Sequence, residues 1–160
     1  MIRRAKEKDI TTINKLLSEV LEIHHKIRPD IFISGTTKYT NEELKDIISN
    51  DATPIFVYVD DSDNVLGYAF CVIKSSNSIN MHKYKTLFID DLCVDSNKRG
   101  MNIGSSLISY VKDFAKKINC HDVTLNVWEG NDNAKEFYKR MGFFVKEYQM
   151  EIIIDWWKNV

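Results

Sequence analysis

Two rhythms of apolar and polar residues run through this chain, one with the period of a helix and one with the period of a strand. Ile2 to Arg4 offers a short first strand. Asp9 then precedes Ile10, Ile13, Leu17, Val20 and His24, a helical spacing with Asp9 as its N-cap and a stop before Pro29. Thr40-Asn41-Glu42-Glu43 is a capping sequence, and Leu44, Ile47 and Ile48 make a short amphipathic helix behind it. Ile55 to Val59 and Val65 to Ile73 read as strands joined by the polar turn Asp60 to Asn64. The acidic spacing of that turn lacks the glycine and closing glutamate of a calcium loop. Lys74 to Lys85 is polar and predicts a loop, and Thr86 to Val94 is a central strand. Ile103, Leu107, Val111, Phe114, Ala115 and Ile118 then form one helical stripe. Val123 to Val127 is a further strand. A helix follows, capped within Asn131 to Asn133, faced by Ala134, Phe137, Tyr138 and Met141, and ended by Gly142. Phe143 to Val145 and Tyr148 to Ile154 complete the pattern as a strand pair. The order β-α-α-β-β-β-α-β-α-β-β predicts a mixed α/β or α+β domain over residues 1–160, built on one main sheet.

Composition narrows the functional classes. The 160 residues include 22 basic and 23 acidic ones, a net charge of −1, which creates no field for nucleic acid or an anionic membrane. Cys71, Cys93 and Cys120 stand apart inside apolar runs, without metal-ligand or redox spacing, and read as free thiols of a reducing compartment. The start, Met1-Ile2-Arg3-Arg4, lacks the apolar core of a secretory signal, and no run approaches a membrane span of about 20 residues. A cytoplasmic protein is the expectation.

The candidate chemistry gathers in Leu87 to Leu107, an apolar strand, a polar turn and a helix start. Such a start aims unpaired N–H groups and the positive end of the helix dipole at an anion. The run Arg99-Gly100-Met101-Asn102-Ile103-Gly104 has neither the Gly-Lys-Ser/Thr ending of a P-loop nor the Gly-x-Gly-x-x-Gly of a dinucleotide site. Asp90 and Asp91 interrupt a strand expected to be buried. A buried carboxylate without a partner is costly, so at least one should reach a cleft, unless a β-bulge leaves both solvated. Adjacent His24 and His25 point apart on their helix and form no metal pair; they either close the helix or line a pocket.

About thirty residues beyond the turn lies Asn133-Ala134-Lys135-Glu136-Phe137-Tyr138-Lys139-Arg140-Met141-Gly142-Phe143. With Val94 and the turn, this stretch resembles the GNAT-type N-acetyltransferases. Their phosphate pattern, Arg/Gln-x-x-Gly-x-Gly/Ala after a strand ending in valine, is matched by Arg99, Ile103 and Gly104. Their second signature is matched by Asn133, Ala134, Phe137, Tyr138, Gly142 and Phe143. Asn102 replaces the usual middle glycine, and asparagine is the residue that best tolerates glycine-like backbone.

The resemblance implies an acyl-CoA N-acyltransferase fold: a mostly antiparallel mixed sheet, helices on both faces, and a strand pair that splays. It implies acetyl-CoA as co-substrate, no metal, and direct transfer of acetyl to a primary amine of a small molecule, peptide or protein. Leu92, Cys93 and Val94 would pair with pantetheine. The amides from Arg99 through Gly100, Met101, Asn102, Ile103 and Gly104, with Ser105, would hold the pyrophosphate. Asn133 would bond the pantetheine arm, and Tyr138 would protonate the leaving thiolate. From the residues, Asp90 is the first choice of base, ahead of Asp91, with Glu129 third. The acceptor would sit among His24–Phe32, Ile33–Tyr39, Ser75–Lys85 and the final strands. A non-catalytic acyl-CoA sensor on the same fold is the second reading. The run Ile152 to Trp157 is either a core strand with an aromatic lid or a homodimer contact.

Overall fold

The computed structural model describes residues 1–155. Five strands lie in the order β1-β2-β3-β4-β5: Ile2–Arg4, Ile55–Val59, Val65–Ser75, Lys85–Val94 and Asp122–Leu125. The first four pair antiparallel, and β5 joins β4 in parallel. Four α-helices accompany them: α1 Ile10–Ile27, α2 Asn41–Ser49, α3 Ile103–Lys117 and α4 Asp132–Arg140.

Strand parity builds two cores, one on each face of the sheet. Ile55, Val57, Val59, Tyr68 and Phe70 pack with Ile13, Leu16 and Leu17 of α1 and Leu44 of α2. Phe56, Ala69 and Cys71 point the other way, against Ile103, Leu107, Ile108 and Val111 of α3. Because both faces are covered, β3 is buried from Val65 to Cys71 without a polar interruption.

The strand β4 breaks this parity. Leu87 and Ile89 face α3, whereas Cys93 faces α1. The register explains the switch: Cys71 lies opposite Ile89 and Phe70 opposite Asp91, so Asp90 is an extra residue with no partner on β3. This is a β-bulge, which shifts the following side chains to the other face.

Several local expectations change. Asp9 does precede α1, but its carboxylate makes no helix cap. It accepts instead from the Lys6 amide at 2.8 Å and from the Arg3 guanidinium at 2.8 and 3.0 Å. Pairing of β3 with β4 continues to Ser75 opposite Lys85, so the predicted loop is shorter than Lys74 to Lys85. The helix α4 ends as its glycine predicts: Gly142 has φ +94°, and the Phe143 amide donates to the Tyr138 carbonyl at 3.0 Å. The expected strand pair after it is not formed. Residues 143–153 have no strand pairing, because β5, the neighbouring sheet edge, makes no backbone bond to them. Trp156 and Trp157 lie outside the described residues.

Gly67 lets α3 close onto β3. A Cβ there would stand 2.8 Å from the Cys93 carbonyl oxygen and 3.2 Å from Ile103 Cγ2. The backbone oxygen cannot yield without moving β4. Gly67→Ala should therefore destabilise the fold by about 1–3 kcal/mol, read as a lower urea midpoint at unchanged slope.

Candidate active site

The sheet opens between β4 and β5. Their parallel pairing runs only from Thr86 opposite Asp122 to Ile89 opposite Leu125. Beyond it, no strand among the described residues pairs with Asp90 to Val94 on that side, while β5 gives way to the turn that leads into α4. The opening leaves a length of backbone able to bond an extended ligand.

At the foot of the opening, the turn before α3 exposes amides. Asp95 shapes its beginning, its Oδ1 accepting from the Asn97 amide at 2.9 Å and its carbonyl from the Lys98 amide at 2.8 Å. Gly100 then takes φ +82° and Asn102 φ 58°, both left-handed. From Arg99 to Ser105, no backbone N–H has a hydrogen-bond partner among the described residues; the first to be satisfied is Ser106, which donates to the Asn102 carbonyl at 3.0 Å. The helix dipole adds its positive end here, and α3 has no acidic residue in its first turn to neutralise it. Gly104 lets α4 approach: a Cβ would stand 3.1 Å from Cζ of Phe137 and 3.7 Å from Cγ2 of Val94. The amide run, the left-handed turn and the parted strands suit an extended ligand that carries an anionic group such as a pyrophosphate along its length.

At the upper end of the opening stands the bulge with its two carboxylates. Asp91 turns to the α1 face and accepts from the Tyr68 hydroxyl at 2.9 Å. Burial pushes its pKa up to about 6, and neighbouring Asp90 adds to the shift, against the opposing pull of Tyr68 and Lys38. Asp90 accepts from Lys38 Nζ at 2.8 Å. Burial works against the Lys38 charge, but the bond to Asp90 holds its pKa above the usual value. Lys38 is carried by the segment between α1 and α2, which also forms an aromatic wall. Tyr39 stacks on Phe70 at 6.0 Å, and Phe32 lies between His24 at 5.1 Å and Trp128 at 5.5 Å. The segment is fastened to α1 by Glu22, whose carboxylate accepts from Ser34 Oγ and the Gly35 amide, both at 2.8 Å.

Tyr138 faces this region from α4. It packs against Phe137 and Phe143 at ring distances of 5.3 and 5.7 Å, and its hydroxyl has no hydrogen-bond partner among the described residues. Burial raises its pKa, and Asp91 is the next contributor, so the phenol keeps its proton and lies within the electrostatic reach of that carboxylate. Cys93 is buried with its thiol toward the Leu16 carbonyl at 3.9 Å, and burial pushes its pKa up to about 12. Its side chain is part of the core, and only its backbone faces the opening. Glu129 is held by Lys135 at 2.7 Å on the α4 side, away from the acidic pair. Asn133 is exposed at the start of α4, where Asn131 supplies the cap to the Ala134 amide. Among the described residues, no group of three His, Cys, Asp or Glu is arranged to hold a metal ion.

Of the residues that sequence reasoning singles out, the structure brings the acidic pair, the amide turn and Tyr138 to one opening; Lys38 and Tyr68, which sequence reasoning does not single out, stand beside the acidic pair. Tyr68 sits in a run that reads as plain core strand, and its polar role depends on the bulge opposite. Lys38 lies in a stretch without periodicity, where position cannot be read from spacing.

A parted strand pair, an amide-lined helix start and helices on both faces define an acyl-CoA N-acyltransferase fold. The chain belongs to the acetyltransferase (GNAT) family, whose model matches residues 17–143. A thialysine N-epsilon-acetyltransferase of Bos taurus is 28% identical over 151 residues, covering 89% of this chain and 82% of that protein. A crystallised mutant of the BH1408 protein from Bacillus halodurans superposes with a TM-score of 0.92 at 28% identity, covering 96% of this chain and 99% of the other. An aminoglycoside N-acetyltransferase in complex with CoA shares the fold, with a TM-score of 0.70 at 15% identity over 96% and 98% of the two chains. Among the described residues, no helix is long and apolar enough to cross a membrane.

The raised pKa of Asp91 has a consequence for stability. Its folded value, about 6, lies above the unfolded 3.8, so folding binds the proton more tightly. The resulting penalty is absent below about pH 4, grows as pH rises through 6, and is constant above. Asp91→Asn should raise stability at pH 8 by on the order of 2 kcal/mol, after allowance for partial exposure. Denaturation at pH 4 and pH 8 checks this; an equal effect at both would contradict the assigned shift.

Proposed function

We propose that this protein transfers the acetyl group of acetyl-CoA to a primary amine, by direct attack in a ternary complex. Asp91 is the base, in preference to Asp90, and Tyr138 is the acid. The observation that supports this most is the half-buried Asp91 carboxyl, pushed up to about 6 and bonded to Tyr68 at the point where the strands part. A carboxylate of that pKa is ionised at neutral pH yet basic enough to accept a proton in the transition state. The amine arrives as an ammonium, surrenders a proton to Asp91 directly or through water, and attacks the thioester carbonyl. The C–S bond breaks, the neutral Tyr138 hydroxyl donates its proton to the departing sulfur, and the second proton of the attacking nitrogen passes through water to the Tyr138 oxygen, restoring the phenol. Amides of the parted β4 edge are placed to polarise the carbonyl and pair with the pantetheine arm. The amides from Arg99 to Ser105 are placed for the pyrophosphate.

Lys38 supports an assignment of the acceptor class. Its primary ammonium already rests on Asp90 at 2.8 Å, so the acidic pair accepts an alkylammonium. The aromatic wall of Tyr39, Phe70 and Phe32 suits the aliphatic stem of such a group. The acceptor is therefore a flexible primary amine with a lysine-like end, in keeping with the name of the bovine relative, and it displaces Lys38 as it binds.

Three outcomes follow. With a panel of lysine-like amines and free-thiol detection, Tyr138→Phe should lower kcat by about 100-fold while CoA still binds. CoA binding without turnover in wild type across that panel would instead favour a non-catalytic sensor. The kcat/KM profile should carry an ascending limb near pH 6 that Asp91→Asn removes; an unchanged limb would move the base elsewhere. Lys38→Met should lower the amine KM by about 3–10-fold, because the subsite no longer holds an internal competitor. A higher KM would make Lys38 part of the binding site instead.

A further inference from the structure

The sheet face that carries the acidic pair continues past it to two lysines. Before the bulge, Thr86 and Phe88 turn to the α1 face, because Leu87 and Ile89 face α3. Beside them on that face stand Val72 and Lys74 of β3 and Asp122 and Thr124 of β5. Val72 and Phe88 are half-buried and belong to neither core. The Lys74 ammonium lies 3.8 Å from the centre of the Phe88 ring, and among the described residues it has no carboxylate partner. Asp122, across the strip, is already engaged: it accepts from the Thr86 hydroxyl at 2.6 Å and from Lys146 Nζ at 3.1 Å. The two lysines, with Ser75, Ser76 and Thr124, line an open hollow of about 300 Å³.

A strip of sheet thus runs from two carboxylates, over Phe70, Val72 and Phe88, to an unbalanced ammonium. We infer that this hollow binds an anionic group, a carboxylate or a phosphate, at the far end of the acceptor. The inference rests on the acetyl-transfer reading above and narrows its acceptor to a small molecule with a charge of each sign. The primary amine meets Asp90 and Asp91, the apolar stem crosses Val72 and Phe88, and the anion meets Lys74. Charge complementarity at both ends decides against a diamine, whose second cation would face Lys74. It also decides against a lysine within a peptide, whose carboxyl is consumed in the amide bond. The spacing agrees. Phe88 lies two residues before Asp90, about 7 Å along the strand, and the Lys74 ammonium sits over its ring. About five carbons between amine and anion span that length. An ammonium is a point charge that takes either anion, and the serine and threonine hydroxyls of the hollow can donate to its oxygens.

Four ligands on the full chain test this: ε-aminocaproate, its uncharged amide, the phosphonate of equal length, and Nα-acetyl-lysine amide. Binding in the presence of CoA is read by NMR titration, and turnover by free-thiol release. In wild type, the carboxylate or the phosphonate should bind about tenfold more tightly than the amide, and the tighter of the two names the anion. Lys74→Met should bring that ratio near one. CoA binding reports whether the variant is folded; if it is not, the wild-type ratio decides alone. Equal affinity for acid and amide overturns the inference. So does a ratio that survives Lys74→Met, which would place the anion elsewhere. A preference for Nα-acetyl-lysine amide also overturns it and assigns the site to a peptide lysine. Turnover separates this inference from the reading beneath it. Acid and amide acetylated with equal kcat/KM overturn the anion site alone. Lys74-dependent binding of the acid without turnover overturns acetyl transfer and leaves the anion site standing.

Discussion

The one-residue bulge at Asp90 sets the geometry on which the rest of the site depends. Without it, Asp91 and Cys93 would fall on the α3 face with Leu87 and Ile89. With it, Asp91 meets the Tyr68 hydroxyl on the α1 face, and Cys93 takes a place in the α1 core. The bulge also stands where β4 loses its parallel neighbour, since pairing ends at Ile89 opposite Leu125. A single extra residue therefore turns a core strand into a strand with a half-buried carboxylate at the head of an opening. Bulges do this by bending the strand and re-aiming side chains.

The lower half of the opening depends on close approach. Gly67 admits α3 to the sheet, and Gly104 admits the Phe137 ring to the first turn of α3. Together they set the helix start, with its unpaired amides, directly below the parted strands. Asn102 takes the left-handed backbone that glycine would otherwise supply, with φ 58°. The departure from the family pattern at this position leaves the turn's shape intact.

Charge at the upper end is arranged in two different ways. Asp90 is balanced by Lys38, an ion pair half open to water and worth little to stability. Asp91 is bonded by the neutral Tyr68 hydroxyl and the Leu92 amide and sits deeper, so its charge is costly. Costly placement of an ionisable group at a cleft is a mark of a working site. In the proposed reaction the pair divides two tasks, Asp90 holding a cation and Asp91 taking a proton.

Much of this was legible in the residues themselves. The amphipathic stripes of α1 and α3 marked the helix faces that pack on the sheet, because burial periodicity is a local property. The amide turn and its partner stretch, Asn133 to Phe143, lie in contiguous runs whose spacing survives any packing. Tyr138 was found for the same reason. The acidic pair within an apolar run suggests a bulge, but the parity beyond it is not legible, because the position of a bulge is fixed by pairing between strands. The order of Asp90 and Asp91 as base therefore differs between the sequence reading and the proposal. Lys38 and Tyr68 were missed because their roles exist only once three elements meet. The strand pair expected at Phe143 to Val145 and Tyr148 to Ile154 is not formed, because alternation specifies only that a run can serve as a strand, not that it finds an edge. Whether such a run meets a sheet edge is set by the packing of distant elements, which spacing within the run does not encode.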